Sequence, residues 1–258
     1  MTPPTHGSGP MPVLVAHRGY ALRYPENSLQ ALKAAFEEGV DWVEFDIQLS
    51  ADGVPFLLHD ADLTRTAGVS GCALDRQWQQ LAVTEINETK RLGKTFQGVC
   101  IPALQDVVGL LGDWPRKQAF VELKRASLER FGTDVVVDLV LEVLQPVLSR
   151  CVIICFDRNA VQVARNRAGP RIGWVLDRCS TRCREEAEEL NPEYLFCNYK
   201  KLPGKGSLWP GPWQWVLYDV KSHELAHALG KRGARFIETG AVGELLRQMK
   251  PQGGMLGD

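Results

Sequence analysis

From residue 13 onward, short runs rich in β-branched and aromatic residues alternate with longer stretches of helical periodicity, and that rhythm admits few folds. Strands are predicted over residues 13–16, 42–49, 55–59, 119–123, 152–156, 172–176, 194–198, 213–220 and 236–238. Helices are predicted over 28–38, 103–111, 133–148, 158–167, 180–190, 223–231 and 242–249, with a further candidate over 78–92. Asn27 has the character of an N-cap for the first of these, with Gln30 three residues on. Strand and helix alternating along one chain argue for a parallel α/β sheet. No G-x-G-x-x-G follows the first strand, which counts against a dinucleotide-binding fold. The expectation is an α/β TIM (β/α)8 barrel. Nine strand-like runs are one too many, so one of them is a hairpin appendage or lies outside the closed sheet.

The 258 residues suit one large domain. We place it at residues 13–250, with a short irregular insertion over 61–101 after the His59-Asp60 strand and flexible tails at 1–12 and 251–258. A net charge of −1 gives no electrostatic reason to expect nucleic acid as a partner. No apolar run approaches the roughly 20 residues of a membrane span. The start lacks a basic n-region and an apolar h-region, so a cytoplasmic location is expected by default. Seven cysteines is an odd count in a chain too large to need staples, and reduced thiols suit that compartment. Cys179 and Cys183 stand i,i+4 but lack the second pair that a zinc site requires.

In such a barrel, function collects at the C-terminal ends of the strands, and several strand ends here carry chemistry. Residues 13–19 finish a strand with His17, Arg18 and Gly19: a proton carrier, a planar donor fork and a residue that lets a ligand approach the backbone. Glu44 and Asp46 are i and i+2 on one strand, so both carboxylates share a face. Two such anions either pair with Arg or Lys or hold a hard divalent cation. Glu122 and Lys124 repeat the spacing on a later strand. His59-Asp60 closes the run 56–58 and supplies a second imidazole. Cleavage of a phosphodiester needs one group to take a proton and another to give one.

Taken in order, His17-Arg18-Gly19, Pro25-Glu26-Asn27-Ser28, Glu44-x-Asp46, Asp52-Gly53, His59-Asp60, Leu63-x-Arg65-Thr66, Ile101-Pro102-x-Leu104 and Glu122-Leu123-Lys124 resemble the signature of the glycerophosphodiester phosphodiesterases. The resemblance spans roughly the first half of the chain. It implies a TIM barrel that hydrolyses small-molecule glycerophosphodiesters, such as glycerophosphocholine or glycerophosphoethanolamine, to glycerol 3-phosphate and an alcohol. It also implies one Mg²⁺ or Ca²⁺ on Glu44, Asp46 and Glu122, with His17 and His59 as the general acid/base pair. Arg18 and Lys124 would hold the phosphate, and Glu26, Asn27 and Asp60 would order the groups around them. Lysophospholipase D-like action is the nearest enzymatic alternative.

The second half departs from the family where Tyr218-Asp219-Val220-Lys221 and Ile237-Glu238-Thr239 stand in place of Thr-Val-Asn and Thr-Asp, and where Cys155 precedes Phe156. These changes are expected to touch the alcohol-facing side and the barrel floor more than the cation site.

Other patterns compete. His223-Glu224-Leu225-Ala226-His227 is a literal H-E-x-x-H and raises a zinc metallopeptidase as the reading from a different class. A barrel helix turns its apolar side inward, which would leave both histidines facing solvent. Pro203-Gly204-Lys205-Gly206-Ser207 lacks the full spacing of a phosphate-binding loop. Trp209, Trp213 and Trp215 are read as packing, with an aromatic rim for the substrate's alcohol as the alternative.

Overall fold

The computed structural model describes residues 11–204 and 206–249; residues 1–10 of the tail expected at 1–12, the tail expected at 251–258, and Lys205 of the 203–207 stretch lie outside them. Nine strands join in one sheet: β1 (Val13–His17), β2 (Trp42–Leu49), β3 (Pro55–Leu57), β4 (Gln118–Leu123), β5 (Cys151–Cys155), β6 (Arg171–Leu176), β7 (Tyr194–Asn198), β8 (Gln214–Tyr218) and β9 (Ala234–Thr239). Eight run parallel in the order β1-β2-β4-β5-β6-β7-β8-β9, and β9 pairs back onto β1 to close the barrel. The surplus run is β3. It pairs antiparallel with the far end of β2, from Ile47 opposite Leu57 to Leu49 opposite Pro55.

Every residue of β2 is buried, because a barrel strand is covered on both faces. One face of the strands packs against the helices, as with Leu14, Val43, Phe45, Val121 and Ile153. The other fills the lumen. There Trp42 stacks on Phe120 at 4.6 Å, and Tyr194 and Phe236 meet this pair edge-on. The aromatic plug makes the barrel solid below its mouth.

Several elements differ from the sequence expectations. Ser28, not Asn27, caps helix Leu29–Glu38, its Oγ accepting the Ala31 N–H at 3.1 Å. Asn27 sits at φ +57°, with its side chain engaged elsewhere. The candidate over 78–92 is two single turns, Trp78–Leu81 and Thr89–Leu92, separated by a loop tied to Val99 and Ile101. Helix Thr133–Leu144 gives way to a 3₁₀ segment, Gln145–Arg150, with Pro146 in its first turn. Helix Arg125–Phe131 was not anticipated; seven residues ended by Gly132 are too few to show a period.

Helix His223–Lys231 buries Ala226 and Leu229. The two histidine rings stack with centroids 6.5 Å apart, and no third metal-donor side chain joins them among the described residues. Trp213 and Trp215 are buried at the start of β8, the end of the barrel away from the mouth, so the aromatic-rim alternative has no place there. No helix among the described residues is long and apolar enough to cross a membrane.

Candidate active site

Side chains two apart on a strand point the same way, so the lumen residues lead directly to the mouth. Val15 is followed by His17, Trp42 by Glu44 and Asp46, Phe120 by Glu122 and Lys124, Val216 by Tyr218, and Phe236 by Glu238. Register then sets neighbours: His17 lies opposite Glu44, and Asp46 opposite Glu122. His17, Arg18, His59, Glu122, Lys124 and Glu238 line a cavity of about 250 Å³, walled by Phe156, Tyr218 and Asp219.

Glu44, Asp46 and Glu122 present ligand atoms that all lie within 4.8 Å of one another, with Glu44 and Asp46 1% exposed. Three carboxylates suit a hard divalent ion. Glu44 Oε1 is buried without a hydrogen-bond partner, as a ligand atom would be. The set therefore fits a divalent cation. The alternative of pairing with basic groups is also present: Lys124 Nζ donates to Asp46 Oδ1 at 3.1 Å and to Glu122 Oε1 at 2.8 Å, and Arg18 Nε stands 3.2 Å from Asp46 Oδ2.

These contacts split the titration of the acids. Burial raises Asp46, but Lys124 and Arg18 outweigh it and hold the carboxyl far below its ordinary range. Burial raises Glu44, and Asp46, Glu238 and Glu122 push the same way. Glu122 is raised by burial against the pull of Lys124. Burial, and then Arg18, lower His17 to about 3, so its imidazole is neutral near pH 7.

The supporting residues hold this arrangement rigidly. Arg18 takes φ +53°, which aims its backbone N–H at Glu44 Oε2 (3.0 Å) while Nη1 donates to Glu26 Oε1 (2.8 Å). Asn27 grips Asp46 at both side chain and backbone. His59 Nδ1 lies 2.7 Å from Asp60 Oδ1. Gly19 serves packing rather than ligand access: at φ +76°, a Cβ there would fall 2.5 Å from the Ala31 carbonyl carbon.

Sequence reading left three functional positions without a role. Arg65, quoted only as part of a motif, donates two bonds to Glu26 at 2.7 Å and a third to Asp60. Glu88 accepts the Glu26 N–H at 2.7 Å and is itself clamped by Arg91. The 61–101 insertion thus braces the mouth. Glu238, the third, is 3% exposed and stands 3.5 Å from His17 Nε2. The expectation that the Glu238 departure lies away from the cation site is therefore corrected. The available signal was the Phe236–Glu238 spacing, which repeats that of Trp42–Glu44 and Phe120–Glu122. Burial, followed by the nearby Glu122, raises Glu238 to about 8.

A closed eight-stranded barrel with acids, bases and cations gathered at the C-terminal strand ends is the layout in which TIM barrels carry their chemistry. The profile of the glycerophosphoryl diester phosphodiesterase family matches residues 17–205. The chain belongs to that family. A glycerophosphodiester phosphodiesterase of Caldanaerobacter subterraneus is 35% identical over 101 residues, 39% of this chain and 41% of that protein. The chain spans half or less of the length of other curated relatives it matches as well. Among solved structures, an Oleispira antarctica phosphodiesterase in complex with the product sn-glycerol-3-phosphate superposes with TM-score 0.78 at 21% identity, covering 92% of this chain and 96% of that one. A glycerophosphodiester phosphodiesterase from Thermotoga maritima gives 0.70 at 22%, over 92% and 98%. At these identities the two structures speak for the shared fold.

Proposed function

We propose that the chain hydrolyses small glycerophosphodiesters, with glycerophosphocholine and glycerophosphoethanolamine as representatives, to glycerol 3-phosphate and an alcohol. The observation that carries this reading is the convergence of two imidazoles, two basic side chains and a carboxylate trio on one mouth. The glycerol 3-phosphate bound to the Oleispira antarctica protein is in keeping with it. A divalent ion such as Mg²⁺ or Ca²⁺ on Glu44, Asp46 and Glu122 would polarise a phosphate oxygen and orient a substrate hydroxyl. Arg18 and Lys124 would face the charge that builds on the phosphorus oxygens. His17, neutral near pH 7, has a nitrogen able to take a proton. Asp60 is held ionised, against burial, by Arg65 and His59, so the proton of their shared bond belongs to His59 Nδ1 and leaves Nε2 for the reaction. We assign these two imidazoles to proton transfer at the nucleophile and the leaving oxygen. Seven cysteines present as free thiols accord with a reducing, cytoplasmic setting.

The test is release of glycerol 3-phosphate from glycerophosphocholine with Mg²⁺ or Ca²⁺, against an EDTA control. His17→Ala and His59→Ala are each expected to lose about 10²–10⁴-fold in kcat. Full turnover in either variant refutes the acid/base assignment. Faster turnover of lysophosphatidylcholine than of glycerophosphocholine would favour a lysophospholipase D-like specificity.

A further inference from the structure

Positive charge is unevenly shared among the four acids of the mouth. Asp46 has Arg18 at 3.2 Å and Lys124 at 3.1 Å, and Glu122 has Lys124 at 2.8 Å. Glu44 and Glu238 have no Lys or Arg side chain in ion-pairing range among the described residues. Glu44 Oε2 receives the Arg18 backbone N–H, but Oε1 is buried with no hydrogen-bond partner at all. Glu238 lies beside the Glu44 carboxyl and faces the imidazole of His17, its Oε1 3.5 Å from Nε2, and that same nitrogen lies 3.9 Å from Glu44 Oε2. Ligand atoms of His17, Glu44 and Glu238 all fall within 4.8 Å of one another.

We infer that His17, Glu44 and Glu238 form a second cation site, which adjoins the Glu44–Asp46–Glu122 trio and shares Glu44 with it. Two carboxylate oxygens and an imidazole nitrogen form a donor set for Zn²⁺ or Mn²⁺ rather than for Mg²⁺. Around a tetrahedral ion with bonds of about 2.0–2.2 Å, neighbouring ligands stand roughly 3.3–3.6 Å apart. The separations of 3.5 and 3.9 Å from His17 Nε2 come within a few tenths of an ångström of that range, and the Glu44 and Glu238 ligand atoms lie within 4.8 Å of each other. Ionising both carboxyls in this dry wall is costly, and one divalent ion would supply the counter-charge. A Glu44 carboxylate between two ions would set them about 3.5–4 Å apart, the spacing of two-metal centres.

The site has a kinetic consequence, which rests on the diesterase reading above. An ion on His17 Nε2 ties up the imidazole assigned to proton transfer, so filling the second site opposes turnover. The rate should then rise and fall again as Mn²⁺ or Zn²⁺ is added.

Binding is measured separately from rate, on the full chain, by Mn²⁺ calorimetry and electron paramagnetic resonance. Wild type should take up two Mn²⁺ per chain with a spin-coupled signal. Glu238→Gln on β9 and His17→Asn on β1 should each take up one and lose the coupling, while Glu122→Gln should keep the ion held by His17, Glu44 and Glu238. Near-UV circular dichroism checks that each variant folds, and the wild-type count and coupling stand even where one does not. One Mn²⁺ in wild type, or two in either folded variant of Glu238 or His17, overturns the inference. If no metal supports hydrolysis, the diesterase reading fails while the binding counts still decide the second site.

Discussion

Asn27 holds Asp46 from two directions: its Nδ2 donates to Asp46 Oδ2 at 2.8 Å, and its Oδ1 accepts the Asp46 backbone N–H at 3.1 Å. Both residues are 1% exposed, and Asn27 is in the left-handed region at φ +57°. Asn27→Ala strips the partner from a buried N–H and leaves alanine in an unfavourable backbone conformation. The expected loss is about 2–4 kcal/mol by urea unfolding. Asn27→Gly relieves the backbone but not the missing bonds, and should recover only part of the loss. Equal stability of wild type and Asn27→Ala would contradict this account.

Gly19 abuts the first turns of helix Leu29–Glu38. A Cβ there would lie 2.5 Å from the carbonyl carbon of Ala31 and 2.7 Å from the Leu32 nitrogen, both backbone atoms that cannot swing aside. Gly19→Ala is expected to destabilise by about 2–4 kcal/mol, from overpacking together with strain at φ +76°. A drop in melting temperature checks it; an unchanged one would show that the helix can shift freely.

Stability without divalent ions should depend on pH in a defined window. Folding lowers His17 from 6.5 to about 3, so between those values the unfolded chain binds the extra proton and stability rises with pH. Folding raises Glu238 from 4.5 to about 8, so there the folded protein binds the extra proton and stability falls as pH rises. The two oppose each other below 6.5. From 6.5 to 8 His17 no longer contributes, and Glu44, raised in the same direction as Glu238, adds to the fall. In EDTA, the urea midpoint should therefore decline from pH 6.5 to pH 8, and less steeply in Glu238→Gln. A rising midpoint across that interval would be the wrong sign.

Arg65 joins Glu26 to Asp60, and through them reaches Arg18 and His59. Arg65→Met should cost about 10–100-fold in kcat/KM for glycerophosphocholine, the scale seen when partners of site ligands are removed. Arg65→Lys keeps the charge but not the planar fork, and should recover little of it. Wild-type kinetics in Arg65→Met would mean that Glu26 and Asp60 need no brace.

The H-E-x-x-H segment offers a control. His223 lies on a helix outside the barrel, with no metal group around it among the described residues. His223→Ala should leave diesterase turnover within twofold of wild type, and loss of activity would show that this helix takes part in the reaction.

The barrel was legible where local pattern and tertiary demand agree. Trp42–Leu49, Tyr194–Asn198 and His223–Lys231 fall within the expected bounds, because apolar runs and helical stripes there are long enough to show their period. The convergence of His17, Glu44, Asp46 and Glu122 on one candidate site was legible because strand spacing fixes which side chains share a face, and the fold brings those faces together. Other features depend on partners distant in sequence. Asn27 looks like a cap until Asp46, 19 positions away, claims its amide. The 78–92 region reads as one helix because its composition does not reveal the bonds from Ile86 to Val99 and from Ile101 to Thr84 that pull it apart. Glu238 carried the right spacing, but on a strand with only three residues recognised in advance.

The hairpin of β2 and β3 has a corollary for how this chain can vary. Beyond the closed cylinder β2 is doubled back by the tight turn at 50–54, and β3 returns His59 above Asp46, with the Leu58 N–H on the Asp46 carbonyl at 3.2 Å. One residue more or fewer in that turn would rotate the imidazole to the reverse side of its ribbon. For drift and for engineering alike, the count from Asp46 to His59 is therefore locked.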